Sequence, residues 1–109
     1  MKELTERYVA HFDSKDLDKT VEMFHENAVL TDPVNTFSGK EEIKQEINKI
    51  FQSCQNLDFQ AKNIYCDEAQ NVSIIEFIIN LDVLQLKGTD VIQWQDGRIK
   101  EMRAYLNLP

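Results

Sequence analysis

An α+β fold is predicted from the order in which two periodicities appear along the chain. Apolar residues recur at helical spacing in the first half, and on alternate positions after about residue 55. Little breaks them up: the 109 residues hold only three glycines and two prolines, and 42% are hydrophobic. The element order reads α-α-β-α-β-β-β-β. Helices early and strands late imply three helices packed on one face of a curved antiparallel sheet. A bent sheet closed by helices makes a cone, and the mouth of the cone is a natural pocket. The length suits one domain, residues 1–109, with one core.

Each element has its own signal. Residues 2–13 read as a helix, with Leu4, Tyr8 and Phe12 every fourth residue and Val9 beside them. Asp13-Ser14-Lys15-Asp16 breaks it, and Asp16 can cap the next helix, Leu17 to His25, whose apolar face is Leu17, Val21 and Phe24. Ala28 to Asp32 is a short strand stopped by Pro33, which cannot donate to a ladder. Ser38-Gly39 opens a third helix, about 40–53, with Ile43, Ile47, Ile50, Phe51 and Cys54 on one face and Glu41 and Glu42 favourably placed in its first turn.

From there the period is two. Leu57, Phe59 and Ala61 alternate with polar residues. Ile75, Phe77, Ile79, Leu81 and Val83 form one face of a long strand, and Ile74, Glu76, Ile78, Asn80 and Asp82 form the other. Asp90, Ile92 and Trp94 share one face of the next strand. Asp96-Gly97 signals a hairpin turn. The last strand, about 98–106, alternates Met102, Ala104 and Leu106 with Ile99, Glu101, Arg103 and Tyr105.

Composition narrows the function classes. A formal net charge of −7, with scattered Lys and Arg, argues against nucleic acid, which demands a basic face. No run approaches the ~20 apolar residues of a membrane span, and the start, Met1 to Arg7, lacks the apolar core of a secretory signal. Cys54 and Cys66 have no metal or redox spacing and read as the reduced thiols of a cytoplasmic protein. His11 and His25 have no metal-ligand spacing with the acids. No metal and no cofactor is expected.

Three positions carry chemistry. Asp32, in Leu30-Thr31-Asp32-Pro33-Val34, and Asp90, in Gly88-Thr89-Asp90-Val91-Ile92, are acids embedded in apolar sequence. A carboxylate there is costly unless paired, protonated or used. Asp90 shares strand parity with Ile92 and Trp94, so it should point inward. Asp32 also reads as a plain turn residue, because Asp-Pro is a turn signal. Tyr8 also reads as an ordinary residue of an amphipathic helix. The large aromatics Phe37, Phe51, Phe59, Phe77 and Trp94 are most simply core.

The stretches Arg7-Tyr8-Val9, Asp16-Leu17, Val21-Glu22-Met23-Phe24, Ala28 to Val34 and Ser38-Gly39 resemble the ketosteroid isomerases of the NTF2-like, SnoaL-like superfamily. So do Asp90-Val91-Ile92-Gln93-Trp94, Asp96-Gly97-Arg98-Ile99, Met102 and Ala104-Tyr105. The likeness covers nearly the whole chain and is weakest over about 55–85. It implies a cone-shaped α+β barrel. It implies that Asp32 is a general base, and that Tyr8 and a protonated Asp90 donate hydrogen bonds to an enolate oxygen. The pocket walls it suggests are Phe12, Phe24, Ile47, Phe77, Ile92, Trp94, Met102, Ala104 and Leu106.

Departures from that pattern point to a ligand other than a steroid. The loop between Asp32 and Gly39 is two residues shorter. Ile47 and Phe24 stand where the isomerases keep supporting tyrosines, and Leu106 stands where they keep a tryptophan. The expected partner is a small apolar molecule. Glu101, Arg103 and Tyr105 should lie on the outer sheet face, where relatives dimerise, so a homodimer through that face is expected. Two further readings stay open: a non-catalytic module that binds a small ligand or dimerises, and a cyclase or hydrolase using other residues of the same pocket.

Overall fold

The computed structural model describes residues 1–107. Three helices, α1 (Lys2–Asp13), α2 (Leu17–Glu22) and α3 (Lys40–Gln52), accompany six strands. These are β1 (Phe24–Thr31), β2 (Thr36–Ser38), β3 (Leu57–Asp67), β4 (Val72–Leu81), β5 (Leu84–Gln95) and β6 (Arg98–Asn107). They form one sheet in the order β2-β1-β6-β5-β4-β3. Every neighbouring pair is antiparallel except β1 with β6, which run parallel, so the sheet is mixed rather than wholly antiparallel.

Most local signals act as their chemistry dictates. The Asp16 side chain accepts a hydrogen bond from the Lys19 amide at 3.1 Å and starts α2. Asp96 and Gly97 both take positive φ, 52° and 77°, which matches a tight turn to the right-handed twist of β5 and β6. Thr5, Tyr8 and Phe12 are the buried stripe of α1, and Ile43, Ile47 and Phe51 that of α3.

Long-range pairing moves several boundaries. α2 ends at Glu22, and His25 lies in β1 instead of ending a helix. The Ile99 amide donates to the Met23 carbonyl at 2.8 Å, and Phe24 pairs with Ile99. This draws the fully buried Phe24 into the sheet. β2 is new relative to the sequence reading: three residues are too few to show a period. β3 runs on to Asp67, past an irregularity between Ala61 and Asn63 that disturbs its alternation. β4 stops at Leu81. Asp82 turns with φ 56°, and Val83 is fully exposed at the hairpin tip rather than in line with Ile75, Phe77 and Ile79.

The core lies between the helices and the concave sheet face, where Phe24, Ile43, Ile47, Ile75, Ile92 and Ile99 are essentially sealed from solvent. Gly88 faces Phe77 across β4 and β5. A Cβ there would collide with the Phe77 ring and with the Tyr105 carbonyl oxygen, so only glycine lets that ring lie against the β5 backbone. On the convex face Arg103 pairs with Glu101 at 3.0 Å, and Tyr65 and Tyr105 are more than half exposed. Among the described residues no helix is long and apolar enough to cross a membrane.

Candidate functional site

The open end of the cone holds a cavity of about 280 Å³. That is near the lower bound of the ~300–1,000 Å³ typical of ligand clefts, room for a molecule of one or two rings. Tyr8 from α1, Asp32 from the turn after β1 and Asp90 from β5 all lie on its wall. Phe12, Ile47, Phe77, Met102, Ala104 and Leu106 line it as well. Phe24, Ile92 and Trp94 do not. They are packed deeper, at the closed end, where Ile92 sits between Ser73 and Met102 in the sheet register. There the Trp94 indole N–H donates to the Ser73 hydroxyl at 2.8 Å. Sharing a strand face with Asp90 puts these residues inside the cone, but only position along the strand decides whether the space beside them is filled.

Asp90 is 5% exposed. Its neighbours across the sheet are Ile75 and Ala104. Among the described residues its carboxyl makes no hydrogen bond. Burial pushes its pKa up from 3.8 to about 7, because the charged form has lost its water. Near neutral pH the group is therefore divided between acid and carboxylate, and any ligand that accepts a hydrogen bond favours the acid.

Tyr8 is 3% exposed. Its ring is held by Phe12 and, edge-on, by Phe24, with centroids 5.9 Å and 6.1 Å away. Among the described residues its hydroxyl meets only the Met102 sulfur, at 3.6 Å. A thioether is a weak acceptor, so the phenolic proton remains available to a ligand. Burial first, and then the charge of nearby Asp90, raise the Tyr8 pKa well above its usual value, which keeps it a donor.

Asp32 is held differently. Its Oδ1 accepts from the amides of Val34 and Asn35, at 2.8 Å and 2.7 Å, and its own amide donates to the Asn35 carbonyl at 2.9 Å. This is the turn chemistry that the Asp-Pro pair announces. The same residue also borders the cavity, so the turn fixes its place at the rim. Its Oδ2 has no partner among the described residues.

Other wall residues were not singled out from sequence. Leu30, Ile50, Phe59, Ile79, Leu81 and Leu86 complete the apolar surface, and Glu46 adds a third carboxylate. The signal for Glu46 was present: it lies three residues after Ile43 and four before Ile50, inside the apolar stripe of α3. Phe59 joins Phe12 at 5.0 Å and Phe77 at 5.1 Å, so one side of the cavity is a continuous aromatic wall. Among the described residues no group of His, Cys, Asp and Glu is arranged to hold a metal ion.

Comparison with known proteins agrees with this architecture. A protein from Methylobium petroleophilum with a cystatin-like fold superposes with a TM-score of 0.87 at 18% identity, covering 99% of this chain and 76% of that one. A Bacillus subtilis protein described as "putative isomerase" superposes with a TM-score of 0.83 at 27% identity, covering 96% and 84%. A Catenulispora acidiphila protein with a ketosteroid isomerase-like fold, solved with trimethylamine, superposes with a TM-score of 0.84 at 13% identity, covering 97% and 86%. No curated protein matches the sequence. The SnoaL-like domain family matches residues 5–102, nearly the whole chain, and the chain belongs to that family, with the NTF2-like cone fold.

Proposed function

We propose that the cavity is a cofactor-independent isomerase site, which moves a double bond in a small apolar carbonyl compound by way of an enolate. The observation that carries this reading is the sharing of one apolar wall by Tyr8, Asp90 and Asp32, two of them without a strong partner of their own. Asp32, ionised, takes a proton from the carbon beside the carbonyl. The C–H electron pair becomes the enolate double bond, and the carbonyl pair moves to oxygen. The Tyr8 hydroxyl and the protonated Asp90 carboxyl each donate a hydrogen bond to that oxygen. Asp32 then returns the same proton at the far end of the conjugated system. Donors held in place before the charge develops are worth about 10²–10³ in rate each in other enzymes.

A second reading, a binding module without turnover, is favoured by the two amides on Asp32 Oδ1, since a turn is reason enough for an aspartate there. Asp32→Asn separates the two. Asparagine keeps an Oδ1 acceptor for the turn but cannot act as the base. One- and two-ring β,γ-unsaturated ketones would be followed by the ultraviolet absorbance of the conjugated product. The isomerase reading expects turnover by the native chain and a loss of at least about 10³-fold in Asp32→Asn at unchanged melting temperature. No turnover across the panel, with phenols still bound as enolate mimics, selects the binding module. The outer sheet face is proposed as a homodimer surface under either reading, to be tested by sedimentation.

A further inference from the structure

Apart from Tyr8, the ionisable side chains on the cavity wall are all carboxyls. Among the described residues that wall holds three acids, Asp32, Glu46 and Asp90, and no Lys, Arg or His. Glu46 is placed least like an ordinary surface residue. It sits in the apolar stripe of α3, and its side chain is only 19% exposed. Among the described residues its one ion pair is with Lys49, at 4.0 Å, and the Lys49 side chain is 82% exposed, so that cation is mostly compensated by water. Among the described residues no hydrogen bond reaches the Glu46 carboxyl. Glu46 thus keeps partial access to water and one weak ion pair, with hydrogen-bonding capacity to spare on the cavity wall.

Two further features of the wall bear on what could partner Glu46. Asp90, 5% exposed and without a hydrogen bond, lies on the same wall, so the cavity is fitted to receive a polar group. Phe12 and Phe59, ring to ring at 5.0 Å, also line it, and aromatic rings attract cations. A ligand carrying a carboxylate or phosphate would meet repulsion from the wall and from a chain of net charge −7. Glu46 is half-buried where Asp90 is buried.

We propose that Glu46 is a specificity residue and that the cavity selects an apolar molecule bearing a protonated amine, with the ammonium at Glu46 and the hydrogen-bond acceptor deeper, at Tyr8 and Asp90. The position of the acceptor rests on the isomerase reading; the choice of a cation does not.

The test uses two phenols of nearly equal shape, 4-ethylphenol and 4-(2-aminoethyl)phenol, titrated calorimetrically into the native protein and Glu46→Gln. The proposal expects the amine to bind about tenfold more tightly than the neutral phenol, and Glu46→Gln to erase that gap while leaving 4-ethylphenol within about twofold. The gap is a ratio within one protein, so a general loosening of the fold does not imitate its loss. Equal affinity for the two probes, or a gap that survives in Glu46→Gln, overturns the proposal, and binding of 4-ethylphenol would leave the oxyanion reading standing. Binding of the amine alone, lost in Glu46→Gln at unchanged melting temperature, supports the cation site and rejects the oxyanion site. Binding of neither rejects both.

Discussion

Two polar clusters are buried inside the cone, both drawing on α1 and β5, and they are finished differently. At the closed end Thr5 of α1 and Trp94 of β5 meet Ser73 of β4. The Thr5 and Ser73 hydroxyls are 2.8 Å apart, Thr5 also bonds the Met1 carbonyl at 2.9 Å, and the Trp94 N–H reaches Ser73 at 2.8 Å. Every donor has an acceptor. At the open end, one helical turn and two strand pairs away, Tyr8 of α1 and Asp90 of β5 have a single weak contact between them, to the Met102 sulfur. The closed cluster is complete within the chain. The open cluster carries unused hydrogen-bonding capacity, which costs stability and is kept where a ligand can use it.

The comparison breaks most readily at Asp90. Its pKa is about 7 in the folded chain against 3.8 as the usual value, so the folded state holds a proton that the unfolded state releases. The resulting stability is fully present below about pH 4 and is lost as pH rises through about 7, roughly 4 kcal/mol in all. Asp90→Asn removes this dependence. The stability difference between the two proteins, from urea melts at several pH values, should therefore move by about 4 kcal/mol toward the variant across that window. A flat difference would mean that Asp90 is not desolvated.

The closed cluster should give the opposite pattern. Ser73→Ala leaves the buried Trp94 N–H without its acceptor and should cost about 1–3 kcal/mol. Ser73 and its partners do not titrate in the working range, so the cost should be the same at about pH 5 and about pH 8. A strong pH dependence there would erase the distinction between the two ends. The smallest effect on stability belongs to Tyr8→Phe. The hydroxyl touches only a sulfur, so folding should change by less than about 1 kcal/mol. Phenol affinity should nonetheless fall about tenfold, because the lost donor is a ligand's partner. If stability falls while phenol binding stays, Tyr8 is core and not site.

The layout of the helices and of the sheet's inner face was legible because burial imposes a period. Tyr8 and Phe12 on α1, Ile43 and Ile47 on α3, and Ile75, Phe77 and Ile79 on β4 follow spacings that place them on one side of their element. Short or irregular pieces were not legible. β2 has three residues, β3 breaks step near Ala61, and the end of α2 was settled by the pairing of Phe24 with Ile99 from the far end of the chain. The candidate site divides in the same way. Strand parity was enough to turn Asp90 inward. It could not separate Asp90, beside open space, from Ile92 and Trp94, beside filled space. Nor did it draw attention to Glu46, whose helix position is plain but whose partners come from other elements.

The sequence by itself determined most of the shared faces, where the helices and the β5–β6 turn begin, and that two acids stand among apolar neighbours. These are local matters of period, caps and turn chemistry. Ile99, read with Glu101, Arg103 and Tyr105, is instead buried beside Phe24 and Trp94, past a register shift between β5 and β6. Only the tertiary structure decided which end of the cone stays open and which polar side chains face the cavity instead of one another. Both depend on whether side chains from α1, β4, β5 and β6, distant in the chain, fill the space between them, and that is a property of volume and register that no single segment carries.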